Sequence, residues 1–176
     1  MVLIYVFDID DTLYEMETFS YDDLEFSQRL KNNINNIPDY IPKYILTNAG
    51  YMHANNVLEK LNIKDDFKLI FSSTSMSKLK PHPASYKYAI NTIMENEKIH
   101  DSRDINILFF DDLFGNLVGA KYYNWRTCWI NKFKEYSGGL TKKKHADYEF
   151  KDINEALEYI NKMNDKVCNF NHKQLI

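Results

Sequence analysis

The chain has 176 residues, with 22 basic and 25 acidic side chains giving a formal net charge of −3, and 44% of it is hydrophobic. That length suits one domain with a sizeable core, and the near balance of charge excludes a global field able to hold nucleic acid or an anionic membrane, so any such contact must be local. No apolar stretch approaches the roughly 18 residues that cross a bilayer, "MVLIYVFDID" lacks a basic start and a small-residue cleavage site, and Cys128 and Cys168 fit neither a disulfide framework nor a zinc motif; the expected setting is soluble and cytoplasmic.

The first apolar run, Val2 to Phe7, reads as a strand and stops in "FDIDDTLY". Asp8, Asp10 and Asp11 stand almost side by side there, and like charges so close repel unless a cation or a set of donors neutralises them. Glu17 to Ile37 reads as one helix with Phe26, Leu30 and Ile34 spaced by four, and Pro38 and Pro42 mark the return to the next strand, Tyr44 to Leu46. "ILTNAG" follows, then helical spacing at Ala54, Val57, Leu58 and Leu61, and a short strand at Leu69 to Phe71. "KPHP" precedes a second set of helical steps at Tyr86, Ala89, Ile90 and Ile93.

Ile105 to Phe110 is the next strand, running into Asp111, Asp112 and Asn116; a helix is expected from Gly115 to Tyr123 and a strand from Thr127 to Ile130. The charged stretch from Asn131 to His145, with its "KKKH" at Lys142 to His145, reads as a solvated surface loop. Ile153 to Met163 closes the series as a helix with Ile153, Ala156, Leu157 and Ile160 on one face, and the last dozen residues show no periodicity and are expected to fray. Near-continuous apolar strands alternating with amphipathic helices predict an α/β fold with a doubly wound parallel sheet, whose ligands bind beyond the carboxyl ends of the strands.

Three polar clusters fall where strands stop: Asp8, Asp10 and Thr12; Thr47 and Asn48; Asp111, Asp112 and Asn116. One rim brings such ends together, and several carboxylates from two strands make an oxygen cage suited to Mg²⁺. With Lys80 of "KPHP", these clusters resemble the four motifs of the haloacid-dehalogenase-like hydrolases, in that family's order, and "TNAGYMHANNVLEKLNI" and "FFDDLFGNLVGAKYYNWRT" look most like its pyrimidine 5′-nucleotidase branch.

The resemblance implies a Mg²⁺-dependent phosphomonoesterase in which Asp8 is the nucleophile forming an aspartyl-phosphate. Asp10 would act as acid toward the leaving group and then as base toward water. The metal would be held by Asp8, the main-chain carbonyl of Asp10 and Asp112, with Asp111 a direct ligand or one acting through water. Lys80, favoured over Lys78 because Pro81 follows it, would face Asp8 and the phosphoryl oxygens. Thr47 and Asn48, with the N–H groups of Ile9 and Ala49, would bind those oxygens. Thr12 and Asn116 would stand behind them, Asn116 orienting Asp112 or Lys80. Asp11 is expected to face solvent or cap the next turn, and His53 to be an exposed or capping residue of a helix's first turn.

The sequence departs from the family in one respect. Only residues 13–46 separate Thr12 from Thr47, too few for the usual helical cap. The expected organisation is a domain over residues 1–165, with a short helical segment at 15–42 in place of the cap, and a tail at 166–176. The substrate is expected to be a small phosphorylated molecule such as a nucleoside 5′-monophosphate. An open cleft also leaves a phosphoprotein or a nucleic-acid end as a substrate, a second copy of the chain as a cover, or a non-catalytic scaffold as alternatives. Tyr14, Phe19 and Tyr21 could wall the cleft, form a dimer contact or pack the short helix. A dehalogenase, the chemical rival, needs neither Asp10 nor an acidic metal cage.

Overall fold

The structure, a computed structural model, describes residues 1–15, 24–132 and 146–173. Six strands form one sheet: β1 (Val2–Phe7), β2 (Lys43–Leu46), β3 (Ile70–Phe71), β4 (Ile105–Asp111), β5 (Arg126–Ile130) and β6 (Tyr148–Phe150). Every pairing is parallel, in the order β3-β2-β1-β4-β5-β6. Among the described residues, five α-helices accompany it: α1 (Gln28–Asn35), α2 (Tyr51–Lys60), α3 (Pro83–Asn96), α4 (Phe114–Lys121) and α5 (Ile153–Lys173). The expected doubly wound α/β fold is present.

Alternation along β1 sorts the core into two layers. Tyr5 and Phe7 pack with the buried faces of α1, α2 and α5, whereas Ile4 and Val6 pack with those of α3 and α4. Both faces of the sheet are therefore dry, which is why its strands read as continuous apolar runs. On the first face the Phe7 and Phe110 rings stack at 4.5 Å.

Three boundaries differ from the sequence reading. Residues 24–27 are not helical; α1 starts at Gln28, where Ser27 caps it by accepting from the Leu30 N–H at 3.3 Å. Phe26 consequently lies outside the helix and is exposed, while Leu30 and Ile34 carry its packing. The three-residue strand β6, partly exposed and preceded by a charged stretch, gave no apolar run to detect. The backbone of α5 continues past Met163 to Lys173. Residues 16–23, with Phe19 and Tyr21, and most of the expected Asn131–His145 loop, with the "KKKH" run, lie outside the described residues.

Helix α1 is built into the first face: Asn33 donates to Asn154 at 2.9 Å and accepts through its carbonyl from Asn161 at 3.1 Å, both partners on α5. Among the described residues, no helix is long and apolar enough to cross a membrane.

Candidate active site

Strand order reverses between β1 and β4, the position at which doubly wound sheets open a crevice at their carboxyl ends. Phe7 pairs with Phe110, and the Asp8 N–H carries the ladder one step further to the Phe110 carbonyl at 2.9 Å. Asp8 and Asp111 are thus brought together by register. Carboxylate oxygens of Asp8, Asp111 and Asp112 all lie within 4.8 Å of one another.

Lys80 enters this cluster from the loop after β3. Its Nζ lies 2.9 Å from Asp8 Oδ1 and 2.7 Å from Asp111 Oδ2, and 5.3 Å from the centroid of the Phe109 ring. Lys80 is buried while Lys78 is exposed, which separates the two candidates. Asp111, itself fully buried, also accepts from Asn116 Nδ2 at 3.0 Å on both oxygens and from the Leu113 N–H at 2.8 Å. Asn116 therefore steadies Lys80 through Asp111.

Three carboxylates against one ammonium leave two negative charges unbalanced in a water-poor site. Burial, with Asp111 adding to it and Lys80 opposing it, raises the Asp8 pKa to about 7. Burial and the neighbouring Asp111, Asp8 and Asp11 raise that of Asp112 to about 8. For Lys80, burial works against the charge, but Asp111 and Asp8 outweigh it and the pKa rises. An all-oxygen donor set with a deficit of two positive charges fits a hard divalent cation.

The remaining predicted residues surround this cluster. Thr12 Oγ1 accepts from the Asp112 N–H at 3.1 Å, and Trp129 Nε1 donates to the Asp112 carbonyl at 2.7 Å, so the segment carrying Asp112 is held from both sides. Thr47 is buried after β2, and its Oγ1 accepts the Ala49 N–H at 3.0 Å.

Asn48 and Ala49 have hydrogen-bond partners within the protein. The Asn48 carboxamide is engaged on the backbone of Lys80, accepting from its N–H at 2.8 Å and donating to its carbonyl at 2.9 Å. With the Ala49 N–H turned to Thr47, both residues help to fix the loops that carry Thr47 and Lys80. A side chain that satisfies both polar groups of one residue holds it as a strand neighbour would.

Two contacts to Asp10 were not expected from the sequence. His53, in the first turn of α2, lies with Nε2 2.7 Å from Asp10 Oδ1, and the Tyr14 hydroxyl donates to the same oxygen at 2.7 Å. The available signal was the position of His53 just after "TNAG", on a helix that starts from the same rim. Asp11 is partly exposed and adopts a left-handed φ of 55°.

No protein-family model matches the chain. It is 26% identical over 120 residues to a glyceraldehyde 3-phosphate phosphatase of Pyrococcus furiosus, a match covering 68% of this chain and 48% of that protein. It is 28% identical over 89 residues to haloacetate dehalogenase H-2 of Moraxella sp. (strain B), covering 51% of this chain and 37% of the relative. The chain thus spans half or less of these curated relatives. Among solved structures, one described as a HAD-hydrolase, YfnB from Bacillus subtilis bound to magnesium, superimposes with a TM-score of 0.60 at 21% identity, over 77% of this chain and 56% of that one. At such identity a solved structure establishes the fold alone. Together the curated relatives and the fold support the haloacid-dehalogenase-like hydrolase superfamily.

Proposed function

We propose that the protein is a Mg²⁺-dependent phosphomonoesterase that works through an aspartyl-phosphate on Asp8, with a small phosphate ester as substrate and a nucleoside 5′-monophosphate as the first candidate. The observation that carries this reading is the charge-deficient cluster of Asp8, Asp111 and Asp112 around buried Lys80. The Pyrococcus furiosus relative, named for a small phosphate ester, and the nucleotidase-like motifs favour that substrate class.

Asp8, the Asp10 carbonyl and Asp112 would hold Mg²⁺, and Asp111, its oxygens already accepting from Lys80, Asn116 and Leu113, would act through water. When bound, the ion screens the phosphate dianion from the attacking carboxylate. Asp8 bonds to phosphorus while the bond to the leaving oxygen breaks, and that oxygen takes a proton from Asp10. Lys80 offsets charge on the phosphoryl oxygens as it spreads. Asp10 then removes a proton from the water that attacks phosphorus, releasing orthophosphate and restoring Asp8.

The dehalogenase reading, raised by the Moraxella relative, leaves Asp10 without a leaving group to protonate and the charge deficit of the cluster without a use for a cation, because halide departs unprotonated. Steady-state assays on para-nitrophenyl phosphate, nucleoside monophosphates and sugar phosphates, beside chloroacetate, decide between the two. Turnover of phosphate esters that needs Mg²⁺ and vanishes in Asp8→Asn is expected. Chloride release, metal-independent turnover, or no turnover of any ester overturns the proposal.

A further inference from the structure

The Asp10 carboxylate is held by one of its oxygens. Tyr14 donates its hydroxyl to Oδ1 at 2.7 Å, His53 Nε2 approaches the same oxygen at 2.7 Å, and the Tyr14 oxygen and the ring nitrogen are 3.4 Å apart. The three groups close a triangle whose corners come from two separate segments of the chain. Asp11, in its left-handed conformation, turns the backbone so that Tyr14 returns beside Asp10, and the two residues form an isolated bridge. A non-glycine residue at positive φ is disfavoured, so this turn is held by its surroundings.

Asp10 and His53 side chains are 26% and 29% exposed, so the core does not force the contact. A carboxylate this open to water would otherwise sample several rotamers, and a positioned proton donor needs one. With His53 in the tautomer that carries its hydrogen on Nε2, Oδ1 accepts from both neighbours and is a poor place for a third hydrogen, so the transferable proton resides on Oδ2.

We infer that His53 and Tyr14 are positioning residues, holding Asp10 by Oδ1 so that Oδ2 exchanges the proton in both half-reactions; this rests on the phosphomonoesterase reading. In the first half, the phosphorus–oxygen bond to the leaving group breaks, its electron pair stays on the leaving oxygen, and that oxygen takes the proton from Oδ2. In the second, water bonds to phosphorus and gives its proton back to Oδ2 as the bond to Asp8 breaks. A histidine that merely satisfies a helix start would do neither.

The test is kcat/KM across a leaving-group series, from 2,4-dinitrophenyl phosphate, whose phenolate departs without a proton, to an alkyl phosphate, whose alkoxide needs one. This ratio covers the steps up to leaving-group departure, so slow hydrolysis of the intermediate does not disguise the result. His53→Ala and Tyr14→Phe are each expected to lose about tenfold or more on the alkyl ester beyond any loss on the dinitrophenyl ester, within the range typical of general acid catalysis. His53→Gln, which can present an N–H near the same place, is expected to recover part of that loss, and Tyr14→Phe, which removes one oxygen, keeps the test open should the histidine variants misfold. Wild-type turnover with equal losses on both esters, or with none, overturns the inference alone. No turnover of any monoester by the wild type overturns the phosphatase reading, and the inference with it.

Discussion

At the scale of single residues the site is defined by unbalanced charge. Lys80 lies between Asp8 and Asp111 with no exposed side-chain surface, yet one ammonium cannot offset three carboxylates. Asp8 and Asp112 hold protons at pKa values of about 7 and about 8, well above the ordinary 3.8. The folded state therefore binds protons that the unfolded chain releases, so the metal-free protein is expected to lose stability as pH rises from about 4 to about 8 and to level off above that. Urea midpoints at pH 5.5 and pH 8.5 check this: a lower midpoint at the higher pH is expected, with Mg²⁺ removing most of the difference. A higher midpoint at pH 8.5 without metal would contradict the charge deficit. Asp8 and Asp112 were legible in the sequence because acidic residues cluster where apolar strands stop. The clamp of Asn48 on Lys80 and of His53 on Asp10 was not, since each joins segments more than thirty positions apart whose closeness only the packed loops determine.

At the scale of elements, α4 sets how closely the segment carrying Asp112 and Asn116 approaches α3. A Cβ on Gly119 would lie 2.7 Å from the Tyr86 ring, and the Tyr86 hydroxyl donates to the Asn116 carbonyl at 2.8 Å. Gly119→Ala is thus expected to destabilise the fold by about 1–3 kcal/mol through overpacking. Equilibrium unfolding reads this directly, and a stability change under half a kcal/mol would mean that the ring moves aside. The buried strands and the apolar faces of α2, α3 and α5 were legible because each combines a long run or a clear helical step with full burial. The start of α1 was misplaced because Phe26 keeps the four-residue spacing while standing outside the helix, ahead of the Ser27 cap. β6 was invisible because three partly exposed residues give no periodicity, and its place is supplied by pairing with β5.

At the scale of the whole molecule, strand order gives the chemistry its location. β1 and β4 are neighbours at the reversal of the sheet, so two motifs a hundred residues apart meet through register. Fold class followed from continuous apolar runs; the identity of the substrate did not, because specificity belongs to groups around the crevice and not to the sheet beneath it. The central claim is that Asp8 bonds covalently to phosphorus, and mass analysis of peptides from protein acid-quenched during turnover of a phosphate ester with Mg²⁺ tests it most directly. A phosphoryl group on the peptide from Val2 to Tyr14, located at Asp8 and absent from Asp8→Asn, is the expected result. Turnover that leaves this peptide unmodified, or that persists in Asp8→Asn, would contradict the account.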